Sequence, residues 1–226
     1  MDSFWNRISA IASTYATDTI FILGKGPSAN QVPPEVFDGA LTIGLNDAER
    51  IHPVAITLFH AEWVARALRA TGPRSELYVT STDYQPEGAQ VMQVPHVSLG
   101  QESGDLMMQR LLSGPMVLED VLFISALKLA LEVARLRGRP QKVYLVGFDF
   151  SAEAGSAQVA GPSFDASDMA QRRLVIGMQE NFFLNALYML RGSEVDVAHV
   201  GHRSFSRLTP EELAAEMRAA GFDRVR

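Results

Sequence analysis

No cysteine occurs among the 226 residues, which excludes disulfides and thiolate metal sites and fits a reducing compartment. An excess of positive charge is also missing. Lys and Arg number 20 against 26 Asp and Glu, for a formal net charge of -6. Such a chain lacks the basic face that neutralises nucleic-acid phosphates, so nucleic acid is not an expected partner. No apolar run approaches the roughly 18 residues of a membrane span. The opening Met1-Asp2-Ser3-Phe4-Trp5 lacks the basic start and apolar stretch of a signal peptide, which points to the cytoplasm. Repeats and low-complexity segments are absent too. What remains is an ordinary globular balance, 47% hydrophobic and 20% charged, with enough apolar side chain for a sizeable core. The length suits one domain over residues 1–226, carrying a small lid.

Short β-rich runs alternate with longer helical ones, the pattern of a parallel sheet covered on both faces. Strands are expected at Thr19–Leu23, Ala40–Gly44, Val54–Phe59, Glu76–Thr80, Gln90–Val94, Val143–Gly147 and Val195–Val200. Helical signal runs over Glu62–Ala70. It runs also over Val117–Arg137, where Val121, Ile124, Leu127, Leu131 and Ala134 recur at helical spacing and Gly138 and Pro140 end the run. Pro86, Gly88, Pro95, Gly100 and Gly104 mark loops. Phe4 to Ile11 is mildly amphipathic, a docking helix or a peripheral contact with a membrane or partner. The Ser-, Ala- and Gly-rich stretch 151–163 reads as part of a flexible lid over about 151–175, leading into a long helix from about Asp165 to Arg191. Thr209-Pro210-Glu211-Glu212 is a helix start, with Thr as cap and Pro in the first turn. The fold class is therefore α/β: a Rossmann-like, doubly wound, mostly parallel sheet with a flexible lid.

The first strand runs straight into Gly24-Lys25-Gly26-Pro27-Ser28. Ligands of doubly wound folds bind beyond the carboxyl ends of the strands. Glycines let the backbone approach a ligand there, and free N–H groups with the Ser28 hydroxyl can hold phosphate oxygens. The turn is neither a P-loop nor the Rossmann Gly-x-Gly-x-x-Gly, and Pro27 removes a donor. A tight turn without a ligand is the plainer reading.

A strand followed by Gly-x-Gly-Pro-Ser resembles the bacterial CMP-sialic-acid-dependent sialyltransferases. It also resembles motility-associated proteins that transfer nonulosonic acids and share a domain with pterin diphosphokinase-like enzymes. Further segments follow in the family's order: Gly44-Leu45-Asn46, the strand from His52 to His60, Val143 to Phe150 with its Gly-x-Asp-Phe, Asn185 to Leu190, and Arg203-Ser204. The likeness spans about Ile20 to Ser206. Two features depart from it: Ser125-Ala126 stands where the family has Ser-Gly, and no histidine occurs from 151 to 198.

The resemblance implies transfer of an acidic sugar (sialic acid, another nonulosonate or a Kdo type) from a CMP-sugar donor to a surface-glycan acceptor. The reaction is an inverting displacement at the cytoplasmic side of the membrane. It needs a base near the acceptor oxygen and stabilisation of the leaving phosphate. Gly24, Gly26, Pro27 and Ser28 would hold the phosphate, Asn46 and Ser125 would read the cytidine, and Asp149 would orient ribose or sugar hydroxyls. His60 stands at a strand end in the donor site. Glu180, Asp168, His202 and His60 compete for the base. Plainer readings stand beside these: a solvated helix residue for Glu180, a helix cap for Asp165 and Asp168, a surface loop residue for His202, packing for His199. Arg172-Arg173 reads as a solvated face that can also meet an anionic donor. No cofactor is expected beyond the donor. No metal is expected either, because Asp-x-Asp is absent and His199 with His202 lack an evident third ligand. Two other readings remain open: an ATP- and Mg²⁺-dependent pterin diphosphokinase-like enzyme, and a catalytically inactive nucleotide-binding partner protein.

Overall fold

The computed structural model describes residues 2–100, 103–155 and 168–221. The chain forms a seven-stranded sheet in which every neighbouring pair is parallel. It begins with helix α1 (Asp2–Ser13) and the central strand β1 (Thr19–Leu23). It then steps outward through β2 (Leu41–Leu45), β3 (Ile56–Phe59), helix α2 (Glu62–Thr71), β4 (Leu77–Thr80) and β5 (Gln90–Gln93). A crossover follows, containing β6 (His96–Val97), α3 (Gly104–Leu112), β7 (Leu118–Glu119) and α4 (Leu122–Arg137). This returns the chain to β8 (Gln141–Val146), which pairs with the other side of β1. Helix α5 (Met169–Met189), β9 (Val195–His199) and α6 (Pro210–Ala219) close the fold. The sheet order is β5-β4-β3-β2-β1-β8-β9, with β6 and β7 forming a separate two-stranded pair.

Side chains alternate across the sheet with period two, and each face builds its own core. Ile20, Ile22, Ile43, Val143 and Leu145 pack with α1, α3, α4 and α5. Phe21, Leu23, Tyr144 and Val146 pack with α6 and the short turns after β1. Phe59 and Tyr78 meet α2. Helices therefore cover both faces, which is the Rossmann-like doubly wound arrangement. A parallel sheet buried on both sides needs near-continuous apolar strands, and Thr19–Leu23 is buried at all five positions.

The N-terminal stretch is a docked helix. Phe4, Ile8, Ile11 and Ala12 are buried in the core, so this apolar stripe is not available to a membrane. No described helix is long and apolar enough to cross a membrane. The helix expected from Val117 begins instead at Leu122, because Leu118–Glu119 pairs with His96–Val97 as a strand. Gly138 ends α4 in the left-handed conformation at φ 63°. Thr209 and Glu212 form the expected reciprocal capping pair. Residues 156–167 of the expected lid, Asp165 among them, lie outside the described residues. Residues 169–175, also placed in the lid, are the first turns of α5.

Candidate functional site

The chain order reverses at β1: β2 to β5 lie on one side of it, β8 and β9 on the other. The turns after β1 pack on one face of the sheet and helix α5, which follows β8, on the other, the arrangement that places a crevice at the carboxyl ends of the strands. A cleft of about 280 Å³ occupies this point. Gly24, Lys25 and Gly26 line it from β1, Asn46 from β2, and His60 with Trp63 from the β3–α2 junction. Phe148 and Asp149 come from β8, Asp120 to Phe123 from the start of α4, and Arg172, Ile176 and Gln179 from α5.

The glycine turn does not offer the N–H groups of Gly24, Gly26 and Ser28 to a ligand. Gly24 N–H donates to the Val146 carbonyl at 2.8 Å and Gly26 N–H to the Gly147 carbonyl at 2.7 Å. Ser28 is buried, and its N–H and hydroxyl both reach Asp149 Oδ2, at 3.2 and 3.1 Å. Pro27 starts a short 3-10 turn and is not among the cleft-lining residues. The expected phosphate cradle is instead a brace that ties the ends of β1 and β8 and fixes one oxygen of Asp149. Lys25 is also engaged: its Nζ lies 2.7 Å from buried Asp47 and 4.7 Å from the Trp63 ring centroid.

Two other features can receive an anion. The first turn of α4 faces the cleft through Leu122 and Phe123, its cap residue Val121 makes no side-chain capping bond, and it holds no acidic residue. Such a terminus carries partial positive charge and exposes N–H donors. Arg172 is the second. Its Nε is buried and has no hydrogen-bond partner among the described residues. Its neighbour Arg173 turns outward to Glu153 at 2.7 Å.

Backbone strain collects at the same place. Asn46 (φ 57°) and Phe150 (φ 47°) are the non-glycine residues at positive φ among the described residues, and both line the cleft. Asparagine tolerates this region, but for phenylalanine it is uncommon, and such residues concentrate at functional sites.

Several sequence-nominated residues lie elsewhere. Ser125 is buried in α4, where its hydroxyl accepts the Glu119 N–H at 2.9 Å; Glu119 in turn holds Arg110 of α3. It locks the crossover and does not reach the cleft lining. Glu180 makes two contacts with Arg203, at 2.6 and 2.8 Å. Asp168 caps α5 by accepting the Gln171 N–H at 3.0 Å. His202 is exposed on the loop after β9 and does not line the cleft. Of the four groups nominated as base, His60 is the one in the cleft.

His60 belongs to a constellation that sequence spacing does not announce. Its ring stacks on His96, with 4.1 Å between centroids and 4° between planes. His96 Nε2 lies 2.7 Å from Asp120 Oδ1. Burial, then the neighbouring His96, pushes His60 below the ordinary histidine range, partly offset by Asp120. These residues come from the β3–α2 junction, strand β6 and the turn after β7, so no local motif exists to find.

His199 sits behind the cleft floor, almost wholly buried. Its Nε2 contacts the Phe148 carbonyl at 2.6 Å and its Nδ1 the Ser206 hydroxyl at 2.9 Å. Burial pushes this imidazole below the ordinary range. The Phe148 carbonyl and the charges of Asp149 and Glu180 pull the other way, and Arg203 adds to the lowering. The unfolded chain therefore takes up its proton first as pH falls. Stability from neutral His199 is complete above the unfolded pKa of about 6.5 and is lost as pH drops toward the lower folded value. The thermal midpoint is expected to fall between about pH 7.5 and about pH 5, with His199 contributing at most about 1.4 kcal/mol per pH unit. His199→Gln should flatten that slope; a wild-type midpoint constant across the range would contradict the account.

No protein-family model matches the chain, and neither a curated protein nor a solved structure gives a significant match.

Proposed function

We propose that the chain is a nucleotide-dependent glycosyltransferase that moves an acidic sugar from a CMP-activated donor to a glycan acceptor hydroxyl. The observation that carries this reading is Arg172 Nε, buried without a partner among the described residues, in the cleft at the carboxyl ends of β1 and β8. An unpaired buried guanidinium nitrogen is costly, and an anion in the cleft removes the cost. A CMP-linked acidic sugar supplies a phosphate and a carboxylate, and the first turn of α4 offers further donors to the same ligand.

In this reading Asn46 meets the nucleotide, and Trp63 and Phe148 provide flat walls for base or sugar. The acceptor oxygen attacks the anomeric carbon while its bond to the CMP phosphate oxygen breaks. The acceptor proton passes to Asp149, whose Oδ2 is fixed by Ser28. CMP leaves with its single phosphate, so the displacement itself requires no metal. Work at the inner face of a membrane, on a lipid-linked or surface glycan, follows from the same reading.

The test is calorimetric and thermal-shift titration against CMP, CDP, UDP, ATP and NAD, each with and without Mg²⁺. CMP at 100 times its Kd should add about 2.7 kcal/mol of stability without Mg²⁺, and Asn46→Ala should weaken the response. A response selective for ATP with Mg²⁺ would replace this reading with phosphoryl transfer. Silence toward every nucleotide would remove it.

A further inference from the structure

We infer that His60, His96 and Asp120 form a binding site for a divalent first-row transition-metal ion at the edge of the cleft. One ligand atom from each residue can be chosen so that all three lie within 4.8 Å of one another. Ligands on a tetrahedral ion with bonds of about 2.0–2.2 Å sit about 3.3 Å apart. The His96 Nε2 to Asp120 Oδ1 distance is already 2.7 Å, and both side chains are about a third exposed; the His60 ring, stacked parallel to His96, turns out of the stack to point its nitrogen at the same ion.

The surroundings are those of a metal ligand set. The second oxygen of Asp120 accepts the Leu99 N–H at 2.8 Å and the Ser98 hydroxyl at 3.0 Å, which orients the carboxylate from behind. Two imidazoles and one carboxylate favour zinc, manganese, iron, cobalt or nickel over the all-oxygen shells of Mg²⁺ and Ca²⁺. His60 and Asp120 line the cleft, so the remaining coordination positions face its ligand. The ion adds two positive charges beside the first turn of α4. An anionic ligand gains from that change, whichever nucleotide the cleft takes.

The test uses the full chain, stripped with chelator, titrated with Zn²⁺ alone by calorimetry. One equivalent should bind, and His96→Gln and Asp120→Asn should each weaken it by at least about tenfold, the loss typical for removing a metal ligand or its support. Excess Mg²⁺ should not displace it. A measurement independent of the variants is the visible absorption of Co²⁺ bound to the wild-type chain, bleached by Zn²⁺. Absence of stoichiometric binding, displacement by Mg²⁺, or unchanged affinity in either folded variant would overturn the site.

Discussion

Gly26→Ala is expected to abolish nucleotide binding and to lower the thermal midpoint by about 2–12 °C, from an overpacking cost of about 1–3 kcal/mol in a chain of this size. The cause is space and not backbone conformation. Gly26 has φ -67° and ψ 153°, which any residue adopts. A Cβ placed there would lie 1.9 Å from Asp149 Oδ2 and 2.8 Å from the Gly147 carbonyl oxygen. One contact is with a side chain that can move and the other with backbone that cannot move cheaply. Asp149 must therefore leave Ser28 and its place in the cleft, or the ends of β1 and β8 must part. Removing the movable partner separates these outcomes. The double variant Gly26→Ala with Asp149→Ala should recover part of the lost stability and none of the binding. If Gly26→Ala melts and binds like wild type, the brace between β1 and β8 is not what shapes the site.

The same brace marks the limit of what the sequence disclosed. The central strands were legible because a sheet buried on both faces demands apolar runs, and Thr19–Leu23 and Val143–Val146 supply them between clear glycine stops. Strand ends then nominated Gly24, Gly26, Asn46, His60 and Asp149, all of which line the cleft. What the pattern could not supply was the direction of the hydrogen bonds. Ser28 next to two glycines reads as a phosphate ligand, yet a partner 121 residues away takes both its donors. Helix α3 was hidden because Gly104 reads as a loop signal, while Met107, Met108 and Leu111 carry the helical spacing that packs it on α4. Ser125 misled for a related reason. It lies on a helix with 12 of 16 residues buried, so its hydroxyl had to find a partner inside the protein. Arg172 and Arg173 are adjacent and chemically identical in sequence; only the packing of α5 sends one inward and leaves the other at the surface.

That difference between the two arginines gives the other large expected effect. Arg172→Ala should weaken binding of the nucleotide donor by about 10- to 100-fold, the equivalent of about 1.5–3 kcal/mol for a charge-assisted contact. Arg173→Ala, which removes the exposed pair with Glu153, should change binding by less than about twofold, as surface ion pairs contribute little. Arg172→Lys tests geometry against charge. A lysine restores a point charge without the planar fork, so it should recover only part of the affinity. Stability in the absence of ligand should move the opposite way from binding. The wild-type Nε is buried without a partner among the described residues, so Arg172→Ala removes an unsatisfied group and should leave the ligand-free midpoint unchanged or raised. A ligand-free midpoint that falls steeply would mean that Arg172 serves the fold. Equal losses of affinity in Arg172→Ala and Arg173→Ala would mean that the cleft attracts its ligand through general positive charge and not through a placed guanidinium.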